Sequence, residues 1–397
     1  MRLVHLADLH LGFRQYQRLT AAGVNQREAD VEATIQRAAD QITALAPDVI
    51  VIGGDIFHTV RPSNPAILHA FRMLSGWRTA LPDTKIVMVA GNHDAPRTSE
   101  TGCILRLFRE IGVYVADMDA ELFTFPDQSL AVLAVPDVPG IVRPSLVPPE
   151  GFRHRVLLMH GEVAGMLPAH LATPERAAIE IPVSDLHVDA WSYIALGHYH
   201  VYRQVAPHAY YSGSLDYTSS NPWGEKQEEH TQFVPGKGFI EQDLETGAHR
   251  FHPVTPARPL LDLTPIEATG MSAVDLDGAI RARVDSAPGG IDQAIVRLTV
   301  HNAPRHIVRE LDHAALREYR RRATHFQLDT HRPAPILHRV GGGAAIRRAT
   351  LADIVAERLR ERTLTAGVDR DALVALGLQY LQQAEQAAMA ALPAVDG

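Results

Sequence analysis

Five short apolar runs in the first 200 residues each stop at side chains that can bind a metal or move a proton. Leu3–Ala7 runs into Asp8 and His10, Val49–Ile52 into Gly53-Gly54-Asp55, and Ile86–Ala90 into Gly91-Asn92-His93-Asp94. Val156–Met159 delivers His160, and Ser192–Leu196 delivers Gly197-His198-Tyr199-His200. A sixth run, Leu130–Val135, lies among them. Apolar runs of this length read as strands of a buried sheet. Helix-like stretches intervene, Arg27–Leu45 after the first run and Asn64–Leu74 after Pro62. Alternating strands and helices predict α/β layers. Open α/β sheets bind ligands at the carboxyl ends of their strands, which is where these polar groups fall. The glycines let the backbone turn sharply there.

The bulk numbers narrow the class. A chain of 397 residues is long enough for two or three domains, and 46% hydrophobic with 21% charged residues is ordinary for a soluble globular protein. No run of about 18 apolar residues exists, so no membrane span is expected. The opening MRLVHLADLHLG is too short and too interrupted for a signal peptide. Cys103 is the sole cysteine, which excludes an internal disulfide and fits a reducing cytoplasm. A net charge of −8 does not advertise a nucleic-acid binder. Lysine occurs only at 85, 226 and 237 among 38 basic residues. Codon bias explains that arginine excess simply, although arginine is also the better phosphate fork.

Past residue 250 the texture changes. FHPVTPARPLLDLTP is proline-rich and marks a domain crossing. Residues 258–330 then read strand, helix (Val274–Val284), strand (Ala294–Val300), helix (His306–Ala323), strand (His325–Thr330). HRPAPILHRVGGGAA (331–345) is a second linker, with Gly341-Gly342-Gly343 as flexible punctuation. Two helices close the chain. Thr350 with Asp353 forms a capping-box variant, Leu351, Ile354, Val355 and Leu359 fall on one face, and Asp369 opens a helix bearing Leu373, Leu376, Tyr380 and Leu381.

Taken together, Asp8, His10, Asp55, Asn92, His160, His198 and His200 offer two carboxylates, four imidazoles and one amide, without a thiolate. That set suits divalent Mn²⁺, Fe²⁺ or Zn²⁺. It is too large for one tetrahedral zinc and about right for two ions sharing a bridging carboxylate. Paired metals activate a water and clamp a phosphoryl centre.

The motifs DxH, GD, GNHD, a lone His and GHxH, in this order, resemble the calcineurin-like metallophosphoesterase superfamily. HLADLHLG, NQREAD, GGDIFHTVRPS and YSGSLDYTSS narrow the resemblance to the SbcD family, the nuclease subunit of the SbcCD double-strand-break repair complex. The likeness covers residues 1–250 well and the later segments by order and length. It implies a four-layer α/β/β/α sandwich with a smaller α+β cap and a C-terminal helical hairpin. The corresponding parts are a nuclease domain over 1–255, a DNA-binding cap over 256–332 and a partner-binding region over 346–397. By resemblance one metal sits on Asp8, His10, Asp55 and His200 and a second on Asp55, Asn92, His160 and His198, with Asp55 bridging and manganese the expected ion. His93 is then kept from the metals as proton donor to the leaving group, with Asp94 as its orienter. His58 matches a position that helps place the DNA backbone, or is a surface-turn histidine. Glu162 is an outer-shell partner of His160 or, more simply, exposed.

The implied substrate is DNA, at ends, single strands and hairpins. Arg14, Arg18, Arg27, Arg61 and Arg97 near the metal-bearing edge are candidate phosphate contacts. REYRRRATH (317–325) is a basic run or a solvated helix face. The implied partners are an SbcC-type ATPase on the tail helices and a second copy of the chain in a cytoplasmic homodimer. Two other readings stay open: a small-molecule phosphodiesterase or phosphatase on the same site, and a non-enzymatic scaffold with a vestigial site.

Overall fold

Alternation along the strands decides the layers. In the computed structural model, Leu3, Val49, Val51, Val87 and Val89 point to one side of a sheet, while Val4, Leu6, Ile50, Ile52, Ile86 and Met88 point to the other. Both sides are apolar, so both must be covered. The structure describes residues 1–96, 102–141, 145–166, 177–333, 351–361 and 369–390.

The first sheet has six strands in the order His249–Pro253, Gly238–Asp243, Arg2–Leu6, Val49–Ile52, Lys85–Val89, Tyr114–Ala116. The last four are parallel, and Gly238–Asp243 joins Arg2–Leu6 antiparallel. The helices Gln26–Leu45 and Asn64–Ala80 cover its outer face. Asn25 caps the first through Arg27 N–H and Ser63 the second through Ala66 N–H. The second sheet orders Arg203–Ala206, Ala209–Tyr211, Tyr193–Gly197, His154–His160, Leu130–Val135, Glu121–Phe125. Its four central strands are parallel and both edges antiparallel. Val156 and Leu158 meet Leu3, Val51 and Val87 of the first sheet, which makes the inter-sheet core. Leu157 and Met159 face outward under Leu186, Trp191 and Ile181. Among the described residues this fourth layer is thin, made of short 3₁₀ turns and the paired strands Glu162–Val163 and Glu180–Ile181.

Residues 260–330 build a separate three-stranded parallel sheet, Leu260–Glu267, Ile295–His301 and His325–Thr330, with its own apolar core. Helix Ala273–Asp285 starts in a capping box of Ser272 and Asp275. The expected single helix over 306–323 is two, Arg305–Arg309 and His313–Arg322. Asp312 causes the break by accepting from the Ala314 and Ala315 amides, capping the second helix.

A dry ionic network joins this sheet to the rest. Arg27 Nη2 donates to Asp216 Oδ1 at 2.9 Å and to the Tyr217 carbonyl at 3.0 Å. Thr34 Oγ1 donates to Asp216 Oδ2 at 2.6 Å, and Arg258 forks onto Asp30 at 2.5 and 2.7 Å. Tyr16 stacks on His325 with centroids 4.0 Å apart.

The chain divides into two compact units, Met1–Pro333 and Ala334–Gly397. In the second, helices Leu351–Glu361 and Arg370–Ala390 pack together, with Asp369 capping the latter through the Asp371 and Ala372 amides. A Cβ on Gly377 would lie 2.4 Å from Leu359, so Gly377 is where the helices touch. The stripe read from sequence is therefore partly covered within the hairpin, whose exposed large apolar side chains among the described residues are Leu376 and Tyr380. Thr350, the Gly341–Gly343 linker and the side chains of Leu351, Asp353 and Ile354 lie outside the described residues.

Removing Asp216 takes the close carboxylate from the buried Arg27 and leaves it only the longer Asp30 contact at 3.5 Å; breaking a buried pair costs about 3–5 kcal/mol. Asp216→Ala is expected to lower unfolding free energy by that amount in urea titrations. A loss within about 1 kcal/mol, on the scale of an exposed pair, would contradict it.

Candidate metal centre

The parallel strands of both sheets bring their loops to one edge, where the backbone bends unusually. Asp8, His10 and Asp55 have φ of 54°, 47° and 50°, and His198 has φ 105°. Side chains rarely tolerate this region, and strain of this kind gathers at functional sites. Neighbouring glycines make the space. A Cβ on Gly91 would stand 2.1 Å from Asp55 Oδ1, one on Gly54 2.4 Å from His160 Nδ1, and one on Gly197 1.7 Å from the Gly53 carbonyl. The Asp8 amide donates to the Gly54 carbonyl at 3.0 Å and the His10 amide to the Asp55 carbonyl at 2.9 Å, locking the first two loops together.

The side chains converge donor atom to donor atom. His160 gives its Nδ1–H to the Gly53 carbonyl at 2.7 Å, which leaves Nε2 a bare acceptor. That Nε2 lies 3.1 Å from Asn92 Oδ1 and 3.6 Å from Asp55 Oδ2. His198 Nδ1 lies 3.3 Å from the same Asn92 oxygen. On the opposite flank His10 Nε2 and His200 Nε2 are 3.0 Å apart, and His10 Nε2 is 3.7 Å from Asp55 Oδ2. Asp8, His10 and His200 bring three ligand atoms within 4.8 Å of one another, and Asp8, Asp55 and His160 another three. Lone pairs aimed at lone pairs repel unless cations stand between them. The nitrogen and oxygen donor set therefore fits divalent ions.

Asp55 occupies the middle. Its Oδ1 accepts from the His93 amide at 3.0 Å, while Oδ2 reaches toward His10 on one flank and His160 on the other. Burial works to raise its pKa, but the surrounding imidazoles and the His93 amide hold it below the usual carboxylate range. Burial and the neighbouring imidazoles push His10 well down, keeping it neutral. Burial also opposes charge on His198 and His200, yet Glu162 and Glu225 respectively raise both.

Three expectations need correction. Asp94 does not orient His93, because its carboxylate is consumed by the Ile56, Phe57 and Gly91 amides at 2.9–3.1 Å. It pins two ligand loops instead, with its pKa pushed up to about 8 by burial and the nearby Asp55 charge. His93 Nδ1 meets the His58 carbonyl at 2.8 Å, and the His58 and His93 rings stack at 5.3 Å, so His58 belongs to the site edge. His10, His58 and His93 also form a close imidazole trio. Glu162 is buried rather than exposed and sits 3.4 Å from His198 Nε2. Most of the proposed phosphate arginines are engaged elsewhere. Arg27 is buried in ion pairs, Arg14 binds the buried Glu28 at 2.7 Å, and Arg18 donates to the Arg321 carbonyl. Arg61 is exposed, and Arg97 lies outside the described residues. In the 317–325 run, Arg321 pairs with Glu318 and Arg322 with Asp292.

Sequence reading missed Glu225, whose Oε1 is 3.4 Å from His200 Nδ1, and Lys237, which donates to the His200 carbonyl at 2.8 Å. The one available signal was lysine's rarity in this chain.

The family model for calcineurin-like phosphoesterases matches residues 1–229. The chain belongs to that family. Among relatives of this phosphoesterase, the "DNA double-strand break repair protein Mre11" of Methanococcus maripaludis is 26% identical over 257 residues, covering 62% of this chain and 63% of that protein. The SbcD subunit of the SbcCD nuclease from Rhodobacter capsulatus is 30% identical over 244 residues, 50% of this chain and 58% of its own length. The Mre11 of Methanosarcina mazei is 22% identical over 360 residues, 80% of this chain and 55% of that protein. The phosphoesterase thus spans less than two thirds of these relatives.

Gly91→Ala drives a methyl into the Asp55 carboxylate and its backbone amide. Calorimetry is expected to show divalent-metal binding lost or weakened at least about 10-fold, with a lower Tm because the methyl would also stand 2.5 Å from the Asp55 amide nitrogen. Undiminished binding would mean that Asp55 is not held by this contact.

Proposed function

We propose that this phosphoesterase is a two-metal DNA nuclease, acting at DNA ends, single strands and hairpins as the nuclease subunit of an SbcCD-type repair complex. The observation that carries the reading is the convergence of bare nitrogen and oxygen donors on both sides of Asp55 Oδ2. The names of the relatives support DNA as the substrate. Asp8, His10, Asp55 and His200 would hold one ion, and Asp55, Asn92, His160 and His198 the other, with Mn²⁺ favoured by the hard and borderline donors. Bound there, two such ions supply a clamp on a phosphodiester and lower the pKa of the attacking water.

The chain's own groups do the rest. His93 keeps its Nδ1–H on the His58 carbonyl, which fixes the ring with Nε2 as the free nitrogen; in the doubly protonated ring the Nε2–H proton passes to the departing oxygen and the neutral Nδ1–H imidazole remains. The His58 ring, stacked on His93, steers the backbone at that edge. The module over 256–332 acts as a cap that positions DNA, and residues 346–397 carry the ATPase-binding surface. No helix among the described residues is long and apolar enough to cross a membrane; a cytoplasmic homodimer is part of this proposal.

Titrating Mn²⁺ into the purified chain with hairpin and single-stranded DNA, and separately with a cyclic nucleotide, tests the substrate. Cleavage of DNA is the expected result, and turnover of the cyclic nucleotide alone would contradict it. His93→Ala is expected to keep both metals and lose on the order of 10²–10⁴ in cleavage rate. Metal loss in step with activity would make His93 a ligand. Leu376→Glu with Tyr380→Glu is expected to abolish pull-down of an SbcC-type ATPase and leave basal cleavage intact. Retained binding would move the contact off this helix face.

A further inference from the structure

A buried charge cluster stands behind the metal centre. Lys237, just before strand Gly238–Asp243, is 3% exposed. Its ammonium forms an ion pair with Glu225, lies 3.2 Å from Glu229 and donates to the His200 carbonyl at 2.8 Å. Glu225 and Glu229 stand one turn apart on helix Pro222–Thr231. Glu229 accepts from the Tyr217 hydroxyl at 2.6 Å, and Lys237 lies 4.6 Å from the Tyr217 ring centroid. Glu225 sends its other oxygen to His200 Nδ1 at 3.4 Å. An ion cluster this dry contributes little over a well-packed apolar substitute, so its use lies in what it holds.

What it holds is one imidazole. With Nδ1–H given to Glu225, His200 turns a bare Nε2 toward His10 Nε2 at 3.0 Å. The other ring nitrogens have separate anchors, since the Gly53 carbonyl fixes His160 and Glu162 faces His198. We infer that Glu225, balanced by Lys237, is a positioning residue that sets the tautomer and direction of His200 and so governs one of the two metal positions. Carboxylates behind ligating histidines act in this way, and losing one typically weakens metal affinity about 10–100-fold. The inference rests on the reading of His200 as a ligand.

Calorimetric Mn²⁺ titrations of the full chain, run with Tm measurements, test it in wild type, Glu225→Gln and the triple variant Glu225→Gln/Glu229→Gln/Lys237→Met. The single variant is expected to weaken one ion about 10–100-fold and leave the other unchanged. In the triple variant, which removes all three charges of the cluster, Tm is expected to recover while the weak site stays weak. Wild-type affinity at both positions, or affinity that returns together with Tm, would overturn the inference and leave the cluster a purely structural element. A wild-type chain that binds no ion would sink the ligand reading itself. The metal-free tautomer of His200, read by ¹⁵N NMR, decides the positioning role in that case. A shift from the Nδ1–H form to a mixed population in Glu225→Gln supports it, and an unchanged population overturns it.

Discussion

One carboxylate oxygen organises the active edge. Asp55 Oδ2 lies within 3.7 Å of imidazole nitrogens from two separate sheets. It can do so because Asp55 adopts a left-handed backbone and because Gly91 offers no Cβ to collide with it. Everything nearby serves that placement. Asp94 ties the Ile56, Phe57 and Gly91 amides into one unit, and the His93 amide takes the remaining Asp55 oxygen. A buried carboxylate is costly unless its charge is answered, and here the answer is a ring of imidazoles and amides that dications would complete.

The two-sheet architecture explains why those imidazoles meet. Parallel strands in each sheet end on the same edge, so His10 and Asp55 arrive from the first sheet, and His160 and His198 from the second. The inter-sheet core of Leu3, Val51, Val87, Val156 and Leu158 sets the relative position of the two sets. Around this, the Arg27, Asp30, Thr34, Asp216 and Arg258 network fastens helix Gln26–Leu45 and the three-stranded module to the loop that follows the last histidines. Motif residues that looked like substrate contacts are largely this fastening.

Much of this was legible in the residues. Val49–Ile52 and Leu130–Val135 are strands with the bounds read from the sequence, because unbroken apolar runs have few other places to go. The convergence of Asp8, Asp55, Asn92, His160, His198 and His200 was visible as coordinating groups at strand ends. Orientation was not visible. Asp94 follows His93 directly, yet neighbours in a tight turn point apart, and three backbone amides outcompete one imidazole for its oxygens. Arg27 read as a candidate phosphate contact because its partner Asp216 lies far along the chain. Glu225 and Lys237 gave no pattern, since charge pairing across elements leaves no periodic trace. The helix break at Asp312 depended on a side chain choosing its own backbone amides over solvent.

The most direct measurement is anomalous diffraction at the manganese edge from crystals of the chain grown with MnCl₂. Two peaks about 3.5–4 Å apart, on either side of the Asp55 carboxylate and bounded by His10 and His200 on one flank and His160 and His198 on the other, are expected. A single peak, or peaks remote from Asp55, would contradict the two-metal centre.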